Sequence, residues 1–252
     1  EPLASAMRGH AYTGSLVREA PRSKAFWQSW GKISRRRFLL GGGTALGGLV
    51  LGNALYREPR SFVVEEVSIP LAKVPPGREL RVVHLSDLHI RSFGGYYERV
   101  AEAAIALAPD IIVLTGDYLE RSRNVRGVER FLRLLRARHG VFAVQGNWEY
   151  WARVEGENLR RHFAAAGAEL LIDTRRDLAP HGVPVSILGL DYPSPADRLA
   201  RLQQQADPAR LNLLLSHVPA FAHEALGAET DLILCGHTHG GQVRLPFTAP
   251  FY

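Results

Sequence analysis

From residue 61 onward the chain alternates short aliphatic, β-branched runs with segments of helical spacing, and most of the runs stop at a polar side chain able to bind metal. The runs are SFVVEEVSI, LRVVHLSD, DIIVLTGD, VFAVQGN, VSILGLD, LNLLLSH and DLILCGH. Between them, residues 95–108 and 125–138 repeat apolar side chains at helical spacing, for example Val128, Phe131, Leu132 and Leu135, with Gly140 as a helix stop. Strands alternating with helices predict an α/β domain with a partly parallel sheet.

The run ends supply Asp87 and His89, Asp117, Asn147, His217, then His237 and His239. In an open α/β sheet the carboxyl ends of the strands border one crevice, so residues far apart in the chain converge there. Each fragment alone is ordinary. An Asp-x-His is common, and Gly-Asp after a strand is usually a turn. The segment Gly236-His237-Thr238-His239-Gly240-Gly241 is more specific, because alternate residues of an extended segment can reach two ions and its glycines allow close backbone approach. Carboxylate, amide oxygen and imidazole together suit Mn²⁺, Fe or Zn²⁺ better than the harder Ca²⁺ or Mg²⁺. Seven ligands exceed one tetrahedral site and match two ions sharing a bridging carboxylate.

Composition narrows the function classes. With 252 residues, 46% of them hydrophobic, the chain can bury a substantial core. The single cysteine, Cys235, excludes an intramolecular disulfide framework and a zinc-thiolate cluster, and it is read as a small buried residue. Residues 1–60 hold ten Lys/Arg against three Asp/Glu, leaving 21 against 22 in residues 61–252. The near-neutral folded part argues against a nucleic-acid-binding face.

The basic excess belongs to a leader. Residues 1–33 read as a polar, disordered basic extension, and residues 34–56 as a signal or membrane anchor: SRRRFLL at 34–40, then a Gly-rich apolar run free of charge until Arg57. That run is short for a membrane span of about 20 residues. The segment Ser34 to Leu39 resembles the twin-arginine export motif. It implies the twin-arginine machinery as a partner, with the domain at 57–252 periplasmic or on the extracytoplasmic face of the membrane.

In this order, DLH, GD, GN, SH and GHTHGG resemble the calcineurin-like metallophosphoesterase superfamily over residues 80 to about 245. The leader and the ending GHTHGGQVRLP are most similar to an exported or membrane-associated bacterial branch that includes UDP-2,3-diacylglucosamine pyrophosphatases. The resemblance implies a four-layer α/β/β/α sandwich. It places Asp87, His89 and His239 on one ion, Asp117 as the bridge, and Asn147, His217 and His237 on the other. It further implies hydrolysis of a phosphodiester or pyrophosphate, lipid-linked or nucleotide-sugar, by water activated between two divalent ions, with Asp87, Asp117, Asn147 and His237 as the catalytic set. The chain ends at Tyr252, where the superfamily continues into further strands, so a C-terminally shortened second sheet is expected.

One position departs from the pattern. Many superfamily members read Gly-Asn-His-Asp/Glu here, the His held to assist the leaving group or bind phosphate, whereas QGNWEYW places Trp148 in the His position and Glu149 after it. An indole offers one N–H and no proton that titrates near neutrality, so general-acid catalysis from this position is lost, which favours substrates with stable leaving anions. Trp148, Tyr150 and Trp151 either pack against a sugar, base or acyl chain or serve as half-buried support. Two alternatives stand beside the pyrophosphatase reading: a broad phosphodiesterase or nuclease, and a metal-binding scaffold without turnover. His84, within a strand pattern, and His10, His139, His162, His181 and His223 have no place in the motif order and are read as structural or exposed.

Overall fold

The computed structural model describes residues 61–225 and 229–239, together with Ser34, residues 42–44, 47, 48 and 52. The expectations for the leader's arginines, for Gly240 and Gly241, and for the last residues to Tyr252 lie outside the described residues. No helix among the described residues is long and apolar enough to cross a membrane.

In chain order the domain runs β1 (Val82–Leu85), α1 (Gly95–Ala106), β2 (Ile111–Thr115), α2 (Val125–Leu132), β3 (Val141–Val144), α3 (Asn147–Trp151), α4 (Glu157–Ala165), β4 (Glu169–Leu170), β5 (Thr174–Leu178), β6 (Val185–Gly189), α5 (Ala196–Gln203), β7 (Leu211–Ser216), α6 (Ala222–Ala225) and β8 (Leu232–Cys235). The first sheet, β1-β2-β3-β4, is parallel throughout. The second, β5-β6-β7-β8, is mixed, with β5 antiparallel to β6 and the other pairs parallel.

Strand periodicity turns these two sheets into four layers, because successive side chains point to opposite faces. From β2, Ile112 and Leu114 pack with Val100, Ala104, Val128, Phe131, Leu159 and Phe163 under the outer helices. The alternate residues Ile111 and Val113 pack with Ile187, Leu213 and Leu215 of the second sheet. On its far side, Leu188 and Leu214 meet Leu199 and Leu202 of α5 and Ala225 of α6. The expected α/β/β/α sandwich is therefore built from runs buried on both faces, which is why they read as continuous apolar stretches rather than alternating ones.

The elements differ from the sequence reading in instructive ways. SFVVEEVSI forms no strand; residues 61–69 are exposed, Val63 by 82%, because no described strand offers them a ladder. The second predicted helix stops at Leu132, and Gly140, at φ +118°, serves the turn into β3 instead of capping a helix. The polar strand β5 carries no apolar pattern. It is held at the sheet edge by its ladder with β6 and by the Arg175–Asp177 and Arg176–Glu169 ion pairs. Cys235, expected to be buried, is only half-buried, and burial pushes its thiol up to about 11.

Candidate metal centre

Five strands, β1, β2 and β3 of one sheet and β7 and β8 of the other, deliver their following residues to one place. The backbone there is unusual: Asp87, His89, Asp117, His237 and His239 all have φ between +44° and +72°. For non-glycine residues this costs about 1–3 kcal/mol each and persists only where the surrounding fold imposes it, most often at functional sites. The turns impose it on one another. The His89 N–H donates to the Asp117 carbonyl, the Asp87 N–H to that of Gly116, and the Gly236 N–H to that of His217.

The side chains form two groups of potential ligands that meet at Asp117. Asp87, His89, Asp117 and His239 have ligand atoms all within 4.8 Å of one another, and Asp117, His217 and His237 form a second such set. His89 Nε2 and His239 Nε2 face each other at 3.3 Å, and His239 Nε2 lies 3.5 Å from Asp87. Asp117 Oδ2 lies 3.8 Å from His89 Nε2 and 3.3 Å from His217 Nε2, between the two groups. Asn147 Oδ1 joins the second group at 2.9 Å from His217 Nε2, and His237 Nδ1 at 3.1 Å. All seven residues singled out from the sequence are thus brought together.

The donor chemistry fits a cation. His217 Nδ1 donates to the Thr115 carbonyl at 2.7 Å, which leaves Nε2 facing two oxygens and another imidazole nitrogen. Such a convergence of lone pairs needs a positive centre, and fixing the outer ring nitrogen on a carbonyl is how ligating histidines are commonly oriented. Burial works to lower the His217 pKa, but Asp117 and the Thr115 carbonyl hold it above its ordinary value. Burial likewise pushes Asp117 up, yet His217, the Trp148 N–H and His89 hold it below the usual carboxylate range. A divalent ion would compete with protons for these ligand atoms, so metal uptake is coupled to proton release. His89 is held below its ordinary value by burial, which keeps the imidazole neutral and ready to ligate.

The surroundings contain residues that the motif order did not single out. Glu149 is fully buried, and its carboxylate accepts three backbone N–H bonds, from Asp117 at 3.0 Å, Tyr118 at 2.8 Å and Gly146 at 2.8 Å. Burial pushes this carboxyl up to about 7 against the pull of those donors. An acid at the third residue of a helix, reaching back to the residue before it, was the available sequence signal. Gly146 cannot be larger, since a Cβ there would stand 2.3 Å from Asp117 Oδ1. The Tyr192 ring lies 6.4 Å from the His217 ring, a tertiary proximity that no local pattern announces.

The three aromatics of α3 part company. Trp148 stands edge-on to His89 with ring centres 5.5 Å apart and meets Trp151, itself 64% exposed, at 5.2 Å. Tyr150 instead donates its hydroxyl to Asp191 at 2.6 Å and serves packing. Of the histidines set aside, His84 lies 2.7 Å from Thr115 Oγ1, His162 pairs with Glu129, and His181 with Asp110.

The profile of the calcineurin-like phosphoesterases matches residues 80–241, the span that carries every one of these side chains. The chain belongs to this family. Among its relatives, the phosphoesterase is 30% identical over 196 residues to the uncharacterized metallophosphoesterase YkoQ of Bacillus subtilis, covering 75% of this chain and 72% of the relative. It is 32% identical over 202 residues to an uncharacterized metallophosphoesterase of Aquifex aeolicus, covering 77% and 76%. It is 26% identical over 216 residues to the UDP-2,3-diacylglucosamine pyrophosphatase LpxG of Chlamydia trachomatis, covering 67% and 66%. As a phosphoesterase of this family it is a metal-dependent hydrolase acting on phosphoric esters.

Proposed function

We propose that the protein hydrolyses a phosphodiester or pyrophosphate bond at a centre of two divalent ions. Asp87, His89, Asp117 and His239 would hold one ion, and Asp117, Asn147, His217 and His237 the other. The observation that carries the reading is the pair of ligand groups sharing the Asp117 carboxylate. Mixed imidazole, amide and carboxylate donors favour Mn²⁺, Fe or Zn²⁺. When bound, such ions supply charge that neutralises phosphoryl oxygens and make water nucleophilic near neutral pH. The chain itself supplies orientation. The Trp148 backbone N–H holds Asp117 Oδ1 at 3.0 Å, which leaves Oδ2 turned toward His89 and His217.

Two features beside the candidate ligands support a substrate class. Trp148 has no proton to give a departing alkoxide, so a leaving group already stable as an anion is favoured, such as a nucleoside monophosphate expelled from a pyrophosphate. The Trp148–Trp151 ledge, open to solvent at Trp151, suits a sugar or acyl portion of that substrate. A nucleotide-sugar or lipid-linked pyrophosphate satisfies both conditions, and the similarity to the chlamydial pyrophosphatase agrees with it. The resemblance of Ser34 to Leu39 to the twin-arginine motif supports an exported enzyme, acting in the periplasm or at the extracytoplasmic face of the membrane.

The test is release of nucleoside monophosphate from a nucleotide-sugar pyrophosphate in the presence of Mn²⁺, with chelation abolishing it. Elemental analysis should give about two ions per chain, and Asp117→Asn should deplete both sites because its carboxylate belongs to both ligand groups. One ion or none in folded protein would sink the dinuclear reading.

A further inference from the structure

We infer that Glu149 is a positioning residue that sets the affinity of the ion site containing Asn147, by clamping the Asp117 turn to the Asn147 turn. The inference rests on the dinuclear reading above. Asp117 and Asn147 follow β2 and β3, strands joined by a ladder that ends at Thr115 and Val144. Among the described residues no ladder bond joins the two turns beyond that point, where the Tyr118 hydroxyl donates to the Val144 carbonyl. Glu149 fills the gap, with Oε2 accepting from the Asp117 N–H of one turn and the Gly146 N–H of the other, and Oε1 from Tyr118 N–H. The clamp is reciprocal, because the Asp117 carboxylate accepts the Trp148 N–H across the same gap.

The geometry leaves Glu149 no other office. It is 0% exposed, so neither substrate nor solvent reaches it. Its bonds are all to backbone N–H groups, and a carboxylate with acceptor-only oxygens can satisfy three of them at once. An amide cannot satisfy all three: Gln at 149 would turn its NH2 toward the Tyr118 N–H or toward the Asp117 and Gly146 N–H pair, which weakens the hold on the Asp117 turn in either orientation. Asp87 and His239 stand on turns that Glu149 does not touch, so the loss falls mainly on the ion held with Asn147.

The experiment measures Mn²⁺ binding to the full chain by calorimetry and by the exchange-coupled two-manganese signal in electron paramagnetic resonance. Wild type, Glu149→Gln and Leu202→Ala are compared. Leu202 is a buried core residue on α5, under the opposite face of the second sheet, and reports mere loss of stability. Folded Glu149→Gln should bind the second ion about 10–100-fold more weakly and lose the coupled signal, in the range typical of residues that orient ligands. Leu202→Ala should keep both. Wild type binding two ions with Glu149→Gln indistinguishable from it overturns this inference alone, as does equal loss in Leu202→Ala. Wild type binding fewer than two ions overturns the dinuclear reading and this inference with it. Hydrogen exchange of the metal-free wild type decides even if the variant fails to fold. The amides of Asp117, Tyr118 and Gly146 should be protected together, and rapid exchange at them refutes the clamp.

Discussion

Trp148 contributes its backbone to the site through Asp117 and its ring to the wall beside His89, two roles that a histidine at that position would divide differently. Because the indole cannot protonate a leaving oxygen, rate should fall steeply as the leaving group becomes more basic. Trp148→His should raise kcat/KM for alkyl esters relative to aryl esters by about 10-fold or more, a part of the ~10²–10⁴ that a general acid typically supplies. A matched ester series, each ratio read as a difference in transition-state stabilisation, checks this; equal changes across the series would return position 148 to packing. The seven candidate ligands were legible as residues because each ends a strand run or follows one closely. Glu149 and Tyr192 were less so, since one acts through backbone amides and the other lies near His217 only through tertiary packing.

Secondary-structure elements were legible where burial on both faces demanded apolar runs, as in β2, β3, β6 and β7. They were illegible where polar bonds take over, as in β5. At the opposite end of the first sheet, buried Asp110 accepts the Arg81 N–H at 2.9 Å and His181 Nε2 at 2.7 Å, with Arg138 at 3.4 Å. It thereby ties the start of β2 to the start of β1 and to the turn before β6. Burial pushes its carboxyl up, but the Arg81 N–H, His181 and Arg138 hold it below the ordinary 3.8. A depressed carboxylate contributes stability that is fully present above its unfolded pKa and disappears as pH falls through the folded one. Asp110→Asn should therefore destabilise by about 1–3 kcal/mol at neutral pH. The gap to wild type in urea melts should close below about pH 4. A gap that persists unchanged at lower pH would mean the loss is steric.

At the scale of the whole chain, contacts separate two compact units, Glu1–Pro59 and Arg60–Tyr252. The basic motif Arg35-Arg36-Arg37 lies in the first and the candidate metal centre in the second. Replacing Arg35 and Arg36 by lysines should block export through the twin-arginine route and leave the hydrolase's activity unchanged, as cell fractionation and assay of each fraction would show; unchanged export would mean that the leader acts as an ordinary signal or anchor. By itself the sequence determined the α/β class and the identities of the seven convergent side chains, because strand burial and strand-end position leave a local, one-dimensional trace. Tertiary structure alone decided that Asp117 Oδ2 sits between the two imidazole groups, that left-handed backbone is imposed at five of those residues, and that a buried carboxylate spans the β2 and β3 turns. Those features depend on distances between segments 30 to 150 residues apart, set by how two sheets pack rather than by any local propensity.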